Sequence, residues 1–496
     1  MEEASSNVTS SQSLSSSPSQ LSLWILIFVY TILALFGAYN TDFFTRGEGR
    51  EALNALSVLS LENVILPRGY SGEVASKPPF LHWAMALSAS ILSGPKGGGI
   101  ELAMRLPSII AGVGFLVYWF FFLKTRVNGN TTILGVFLLA FAPEWARHTV
   151  LARTDMVHSV AVAGTLIIGF KLINFRATSA RVLLGALLLT VAILSKGPIG
   201  LAISAVVLTI YFFITGSKKG KLPPLCYLLL FGSVLPLAWY IAASYIGGDE
   251  FQNKVFGENY LRFMGQMDGD PHDHSLLYLL GLTFLAFLPG FATLTLGLVQ
   301  FRTRLFSPTK EAWQNDNFFR FALLATTVIF IIYAIPPGKR SVYLLAAYPF
   351  LAYIVARVTS AWMEELMNDF SRIFRVRPGV LFITLYGIGV GVLQPFLSYQ
   401  SSAKIALAAY RDQILSEAPI LSLNHEFYGE SFYARRVFYR TNLTDIKARI
   451  DRGEHFFVLT TKEELVTLLR EDKEKVLLSE KMVDRNLGSG IVLYGF

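Results

Sequence analysis

Apolar residues in this chain come in long unbroken runs separated by short polar breaks. A bilayer core of about 30 Å calls for roughly 20 apolar residues in a helix. Runs of that kind predict spanning helices at about 21–40, 103–123, 131–152, 156–174, 181–195, 197–215, 223–246, 276–299, 317–335, 341–357 and 379–397. A shorter run at 79–93 carries its aromatic residues at one end, which suits an amphipathic helix lying in the interface. The alternation in runs of about ten residues that marks a membrane barrel is absent. The expected fold is a polytopic α-helical membrane protein of about 11–13 transmembrane helices.

Hydrophobicity falls after about residue 400, and residues 401–496 predict a small soluble α/β domain. Its expected strands are 419–423, 455–461, 475–479 and 490–496. A helix over TKEELVTLLRED lies between them, and Thr461 with Glu464 fits a capping box at its start. Residues 1–20 are rich in Ser, contain no Lys or Arg, and predict a disordered cytoplasmic tail rather than a cleaved signal peptide. The membrane domain, 21–400, is interrupted by two long polar loops. The first, 41–102, holds a helix from Glu48 to about Glu62 with Leu53, Leu56 and Leu59 at helical spacing; the second is 247–275.

Composition agrees with the pattern. The chain has 496 residues, of which 53% are hydrophobic and 16% charged, against about 25% charged in soluble domains. Mean hydropathy is +0.48. A formal charge of +8 would suggest nucleic acid in a soluble chain. Here it is expected to serve membrane lipids and an anionic ligand, with no nucleic-acid partner. If the N-terminus is cytoplasmic and 79–93 does not cross, the basic groups Lys124/Arg126, Lys171/Arg176/Arg181, Lys218/Lys219/Lys221, Arg302/Arg304/Lys310 and Arg372/Arg375/Arg377 all fall inside. The single cysteine, Cys226, excludes intramolecular disulfides and cysteine-cluster metal sites.

The same parity places a second set of charges together outside. A charge at membrane depth costs roughly 2.5–3.5 kcal/mol on insertion scales, so it needs a partner or a purpose. Glu48 and Asp155 are the expected catalytic carboxylates. Arg50, Lys77, Arg105, Arg153, Lys196, Lys339 and Arg340 are the expected phosphate-binding cations. Each has a plain alternative. An acid can cap a helix, a lysine can snorkel, and an Arg–Asp pair can be purely structural. In the second loop Glu258, Asn259, His272 and His274 are expected to contact the acceptor or the loop itself. The H-D-H spacing leaves a divalent metal on His272, His274 and Glu258 undecided; no other cofactor is expected.

These residues fall in eight ordered pieces: GEGREA (47–52), KPPFLHW (77–83), RLPS (105–108), RTDMV (153–157), SKGPIG (195–200), ENYLRF (258–263), HDHSLLYLL to FLPG (272–290) and KRSVYLLAAYP (339–349). The series resembles the GT-C glycosyltransferases, in the branch of bacterial protein O-mannosyltransferases and aminoarabinose lipid A transferases (glycosyltransferase family 39-like). The resemblance covers roughly 25–400. It implies a sugar donor on polyprenyl phosphate, a protein, lipid A or glycan acceptor, transfer with inversion, and an active site on the periplasmic side of the bacterial inner membrane. Two departures stand out. Gly47 replaces the Asp of the family's Asp-Glu pair, and Ser76 replaces a Glu before Lys77-Pro78. The second removes a carboxylate that would ligate metal. A transporter or flippase for a lipid-linked sugar would use similar cations. It would also need essential charges at mid-membrane or facing the cytoplasm, and no internal repeat is visible.

Overall fold

The computed structural model describes residues 18–495 except 71, 94–97, 217–218, 267–273, 301, 370–383, 403, 405–406, 408–415, 424–426 and 462–490. Of the expected tail 1–20, residues 1–17 lie outside the described residues, as do His272 and the helix and strand expected between 462 and 479, while residues 18–20 are not tail but the start of the first helix. Seven described helical segments are long and apolar enough to cross a bilayer: Leu23–Asn40, Ile100–Lys124, Thr154–Asn174, Ser179–Lys196, Leu222–Met264, Asn317–Ala334 and Ser341–Thr359. An eighth is added if Leu276–Ala286 and Leu288–Thr295, bent by 89° before Pro289, form one broken span. The chain is a multi-pass helical membrane protein with a small sheet near its C-terminus.

Helices α1 (Pro18–Asn40), α2 (Arg46–Leu59), α3 (Phe80–Leu92) and α4 (Ile100–Lys124) build the N-terminal part. The 13 residues of α3 are fewer than a crossing needs, as expected for 79–93. The run 131–152 divides into α5 (Gly129–Ala140) and α6 (Pro143–Thr149). Pro143 disfavours helical geometry in the residue before it and opens the new helix at its first turn. The break matters because α6 carries Glu144 and His148 inward, both buried.

At the centre stands α7 (Thr154–Asn174), apolar on every side and almost wholly buried. It packs against α8 (Ser179–Lys196), α9 (Ile199–Ile214), α4 and the 3-10 turn Ser341–Ala347. Its 21 residues span roughly 30 Å, with a different charge belt at each end. Asp155 lies in the first turn. Near the last turn Lys171 donates to the Tyr118 hydroxyl (3.3 Å), Arg181 to the Arg176 carbonyl (2.6 Å) and Lys221 to the Phe175 carbonyl. There the Arg126 guanidinium also faces the rings of Phe122, Phe170, Phe175 and Phe318 at 4.5–5.4 Å.

The C-terminal unit holds a four-stranded sheet in the order β2-β1-β3-β4: β1 Ile420–Leu423, β2 Phe438–Thr441, β3 Phe457–Thr461 and β4 Ile491–Gly495. β1 pairs parallel with β2 and β3, and β4 pairs antiparallel with β3. Strand β2 was not expected from sequence. It is a four-residue edge strand with Tyr439 and Arg440 exposed, so it lacks the apolar run that marks the interior strands. The unit rests on the first loop. Phe43 meets Phe432 edge to face at 5.1 Å, and the Phe43 N–H donates to the Tyr433 hydroxyl (2.8 Å). Gly49 of α2 lies so close to Gly429 that a Cβ would stand 2.6 Å from the Gly429 nitrogen.

Candidate active site

The end of α7 that carries Asp155 gathers charges from five segments. Lys196, the last residue of α8, places Nζ 2.6 Å from Asp155 Oδ1, and Arg153 Nε lies 3.2 Å from Oδ2. The Lys196 ammonium also faces the Tyr343 ring at 5.1 Å. His148 Nδ1 is buried, has no hydrogen-bond partner among the described residues, and stands 4.0 Å from Asp155 Oδ2. Its other nitrogen lies 3.0 Å from Glu144 Oε1, to which Ser341 Oγ donates at 2.9 Å. Burial opposes ionisation of Glu144, but the contact with His148 and the nearby Arg147 hold its carboxyl below the usual range.

Gly197 follows Lys196 with φ +96°, a conformation that favours glycine. A Cβ there would lie 3.1 Å from Asn259 Oδ1. This close approach brings the second loop over Lys196. The neighbouring Glu258 accepts from Lys77 Nζ at 2.7 Å and from Arg262 at 2.8 Å through the same oxygen, Oε2. Glu258 and Asn259 sit on a π-helical turn, Gly257–Leu261, a local distortion often found at functional sites. Arg50 interacts electrostatically with Glu258 and Lys77, which joins the first loop to the same group. Arg50 itself pairs with Glu51 at 2.7 Å, and Glu51 lies 2.8 Å from His82 Nε2. Burial would raise the Glu51 carboxyl, but Arg50 and His82 hold it well below the ordinary range. Burial pushes the Lys77 ammonium down in pKa against the opposing pull of Glu258.

Arg50, Lys77, Arg153, Asp155, Lys196, Glu258 and Asn259 therefore form one constellation, while the other expected residues lie differently. Glu48 is sealed. It is 0% exposed and pairs with an equally buried Arg105 at 2.8 Å. It also accepts from the Ala152 N–H at 3.2 Å. Arg105 donates further to the carbonyls of Ala38, Thr41 and Asp42. This pair ties α1, α2 and α4 together and presents no surface to a substrate.

Lys339 is likewise turned inward, with Nζ donating to the carbonyls of Ala334 and Pro336, so it closes a helix C-terminus instead of joining the cations. Arg340 beside it is half-buried, and its guanidinium has no ion-pair or hydrogen-bond partner among the described residues. His274 packs against the Tyr278 ring at 4.1 Å and a tilt of 42°, and Glu258 is committed to two cations. Among the described residues no three His, Cys, Asp or Glu side chains gather as a metal group.

Gly47, where the family resemblance calls for Asp, has a specific neighbour. A Cβ there would stand 2.7 Å from Arg153 Nη1, so a guanidinium fills the space beside the missing side chain. Glu144 and His148 were not foreseen, although Glu-x-x-x-His puts both on one helical face.

The fold is shared with ArnT and AglB. ArnT from Cupriavidus metallidurans, in a crystal structure bound to undecaprenyl phosphate, superposes with a TM-score of 0.75 at 16% identity, covering 95% of this chain and 97% of that one. Archaeoglobus fulgidus AglB, an oligosaccharyltransferase solved with an inhibitory peptide and a dolichol phosphate, gives 0.54 at 14% identity over 89% of this chain and 69% of its own. The family model described as dolichyl-phosphate-mannose-protein mannosyltransferase matches residues 76–240. Two uncharacterized proteins of Aquifex aeolicus are each 26% identical, over 62% and 67% of this chain. The chain spans 57% of the length of the first and 72% of the second.

Proposed function

We propose that this protein is a membrane glycosyltransferase that moves a sugar from a polyprenyl-phosphate donor to an acceptor on the extracytoplasmic side of a bacterial inner membrane. The observation that carries the reading is the Asp155–Lys196 pair with Arg153 beside it, and Lys77 and Arg50 joined through Glu258, at one end of the helical bundle; Arg340 has no ion-pair partner among the described residues. Such an excess of cations at a membrane edge suits a lipid-linked phosphate. The basic belt of Arg126, Lys171, Arg181 and Lys221 at the far end of α7 supports an extracytoplasmic site by the positive-inside rule.

Two steps follow from the geometry. The donor phosphate takes Lys196 and Arg340 as partners, together with Lys77, and loosens the Lys196 pair with Asp155. Asp155, which keeps its contact with Arg153, then accepts the proton of an acceptor hydroxyl. The acceptor oxygen forms a bond to the anomeric carbon from the face opposite the phosphate. The carbon–oxygen bond to phosphate breaks, and its electron pair leaves with the polyprenyl phosphate. The cations stabilise that growing negative charge. One direct displacement inverts the anomeric centre.

The reading is tested by lipid mass spectrometry of a deletion strain. A polyprenyl-phosphate sugar should accumulate and one glycan modification should disappear; unchanged lipid-linked sugars and unchanged glycans would refute it. Lys77 supplies a second expectation. Lys77→Met should raise the donor KM at least tenfold with little change in kcat. Because burial lowers the Lys77 pKa, donor affinity should fade as pH rises, below the pH at which an ordinary lysine loses its charge (about 10.4). Lys77→Arg should move that loss to higher pH, which a KM-against-pH series would record.

A further inference from the structure

Between the first loop and the C-terminal unit lies a cavity of about 500 Å³, within the roughly 300–1,000 Å³ typical of small-ligand sites. We propose that it is a carbohydrate site, and that the acceptor of this enzyme is a neutral saccharide. This deepens the glycosyl-transfer reading and rests on it.

Two walls of different origin face each other across the cavity. Tyr70, Glu73 and Leu53 come from the first loop, while Tyr428, Phe438 and Arg440 come from the C-terminal unit. Phe438 and Arg440 are two apart on β2 and so leave the same face of that edge strand. Glu250, also lining the cavity, is fixed in place. One of its oxygens accepts from the Val74 N–H at 2.9 Å and the other from Arg68 at 3.1 Å.

Aromatic rings, two carboxylates and a guanidinium lining one space match a pyranose, which offers an apolar C–H face and a rim of hydroxyls that donate and accept. The mix of acids and Arg440 gives no net positive field, which disfavours a phosphorylated ligand. The carboxylates disfavour an acyl chain.

The cavity also adjoins the cation constellation without sharing its cations. Arg46 lies over the Tyr428 ring at 5.6 Å, and Arg50 couples electrostatically to Tyr428 on one side and Glu258 on the other. An occupant would sit beside the donor phosphate, where an acceptor belongs.

The test uses the full-length protein in nanodiscs. Saturation-transfer NMR is recorded with maltotriose, N,N′-diacetylchitobiose and a Ser/Thr-rich peptide, and undecaprenyl phosphate binding is measured in parallel. At least one saccharide should bind, and both Phe438→Ala and Glu73→Gln should weaken it at least tenfold with undecaprenyl phosphate binding unchanged. Glu73→Gln decides the matter if Phe438→Ala does not fold. Peptide binding without saccharide binding would overturn the proposal, as would saccharide binding that neither variant alters. Failure of the wild-type protein to bind undecaprenyl phosphate would instead count against the transferase reading itself.

Discussion

Asp155→Asn is expected to lower sugar transfer at least a hundredfold while the protein still folds and inserts. A positioned general base contributes about 10²–10⁴ in rate, and among the acids near the constellation Asp155 touches both Lys196 and Arg153. The amide keeps the shape and can still accept from Arg153, so the loss should fall in kcat. Donor KM should stay level or drop, because Lys196 no longer has an anion competing with the phosphate. Steady-state kinetics with separate titration of donor and acceptor distinguishes this from simple damage. Near-normal kcat in Asp155→Asn would remove proton transfer from the mechanism and point to an acceptor that arrives already ionised.

Arg105→Met should act on stability and not on chemistry. The substitution leaves the Glu48 carboxylate buried without its cation and strips three carbonyls of a donor. Breaking a buried pair from one side costs about 3–5 kcal/mol, enough to lower the thermal transition markedly or to abolish recovery from membranes. Glu48→Gln should cost less, since the amide oxygen can still accept from Arg105 and from the Ala152 N–H. Transfer per folded molecule should match wild type in Glu48→Gln. A large loss of kcat in a stable Glu48→Gln protein would restore Glu48 to the catalytic role that its place in GEGREA first suggested. In the double variant the two costs should be less than additive, because the residues share one interaction.

Much of the site could be read from the sequence because charge is expensive in a membrane. Lys196, Asp155 and Lys77 stood out against apolar runs; the fold pairs Lys196 with Asp155, and Lys77 with Glu258, whose neighbour Asn259 approaches Gly197. What the sequence could not divide was two neighbours with the same charge. Lys339 and Arg340 carry the same charge, yet one turns in to cap a helix and the other has no ion-pair partner among the described residues. Glu48 and Asp155 both looked like acids at helix starts. Only the three-dimensional packing of α1 and α4 around Glu48 shows that it is enclosed. Helix breaks were also hard to read, since 131–152 is apolar as far as Ala142 and mostly so beyond it, and Pro143 alone marks the cut. The split created the short helix that sets Glu144 and His148 beside Asp155. Strand β2 escaped notice for the opposite reason, having too few apolar residues to register.

The meeting of Gly49 with Gly429 has a consequence for engineering. Two bare backbones in van der Waals contact tolerate almost no change in spacing, so the terminal unit cannot be exchanged between homologues as a detachable module. A chimera that imports a foreign C-terminus should work only if the matching stretch around residues 46–59 travels with it.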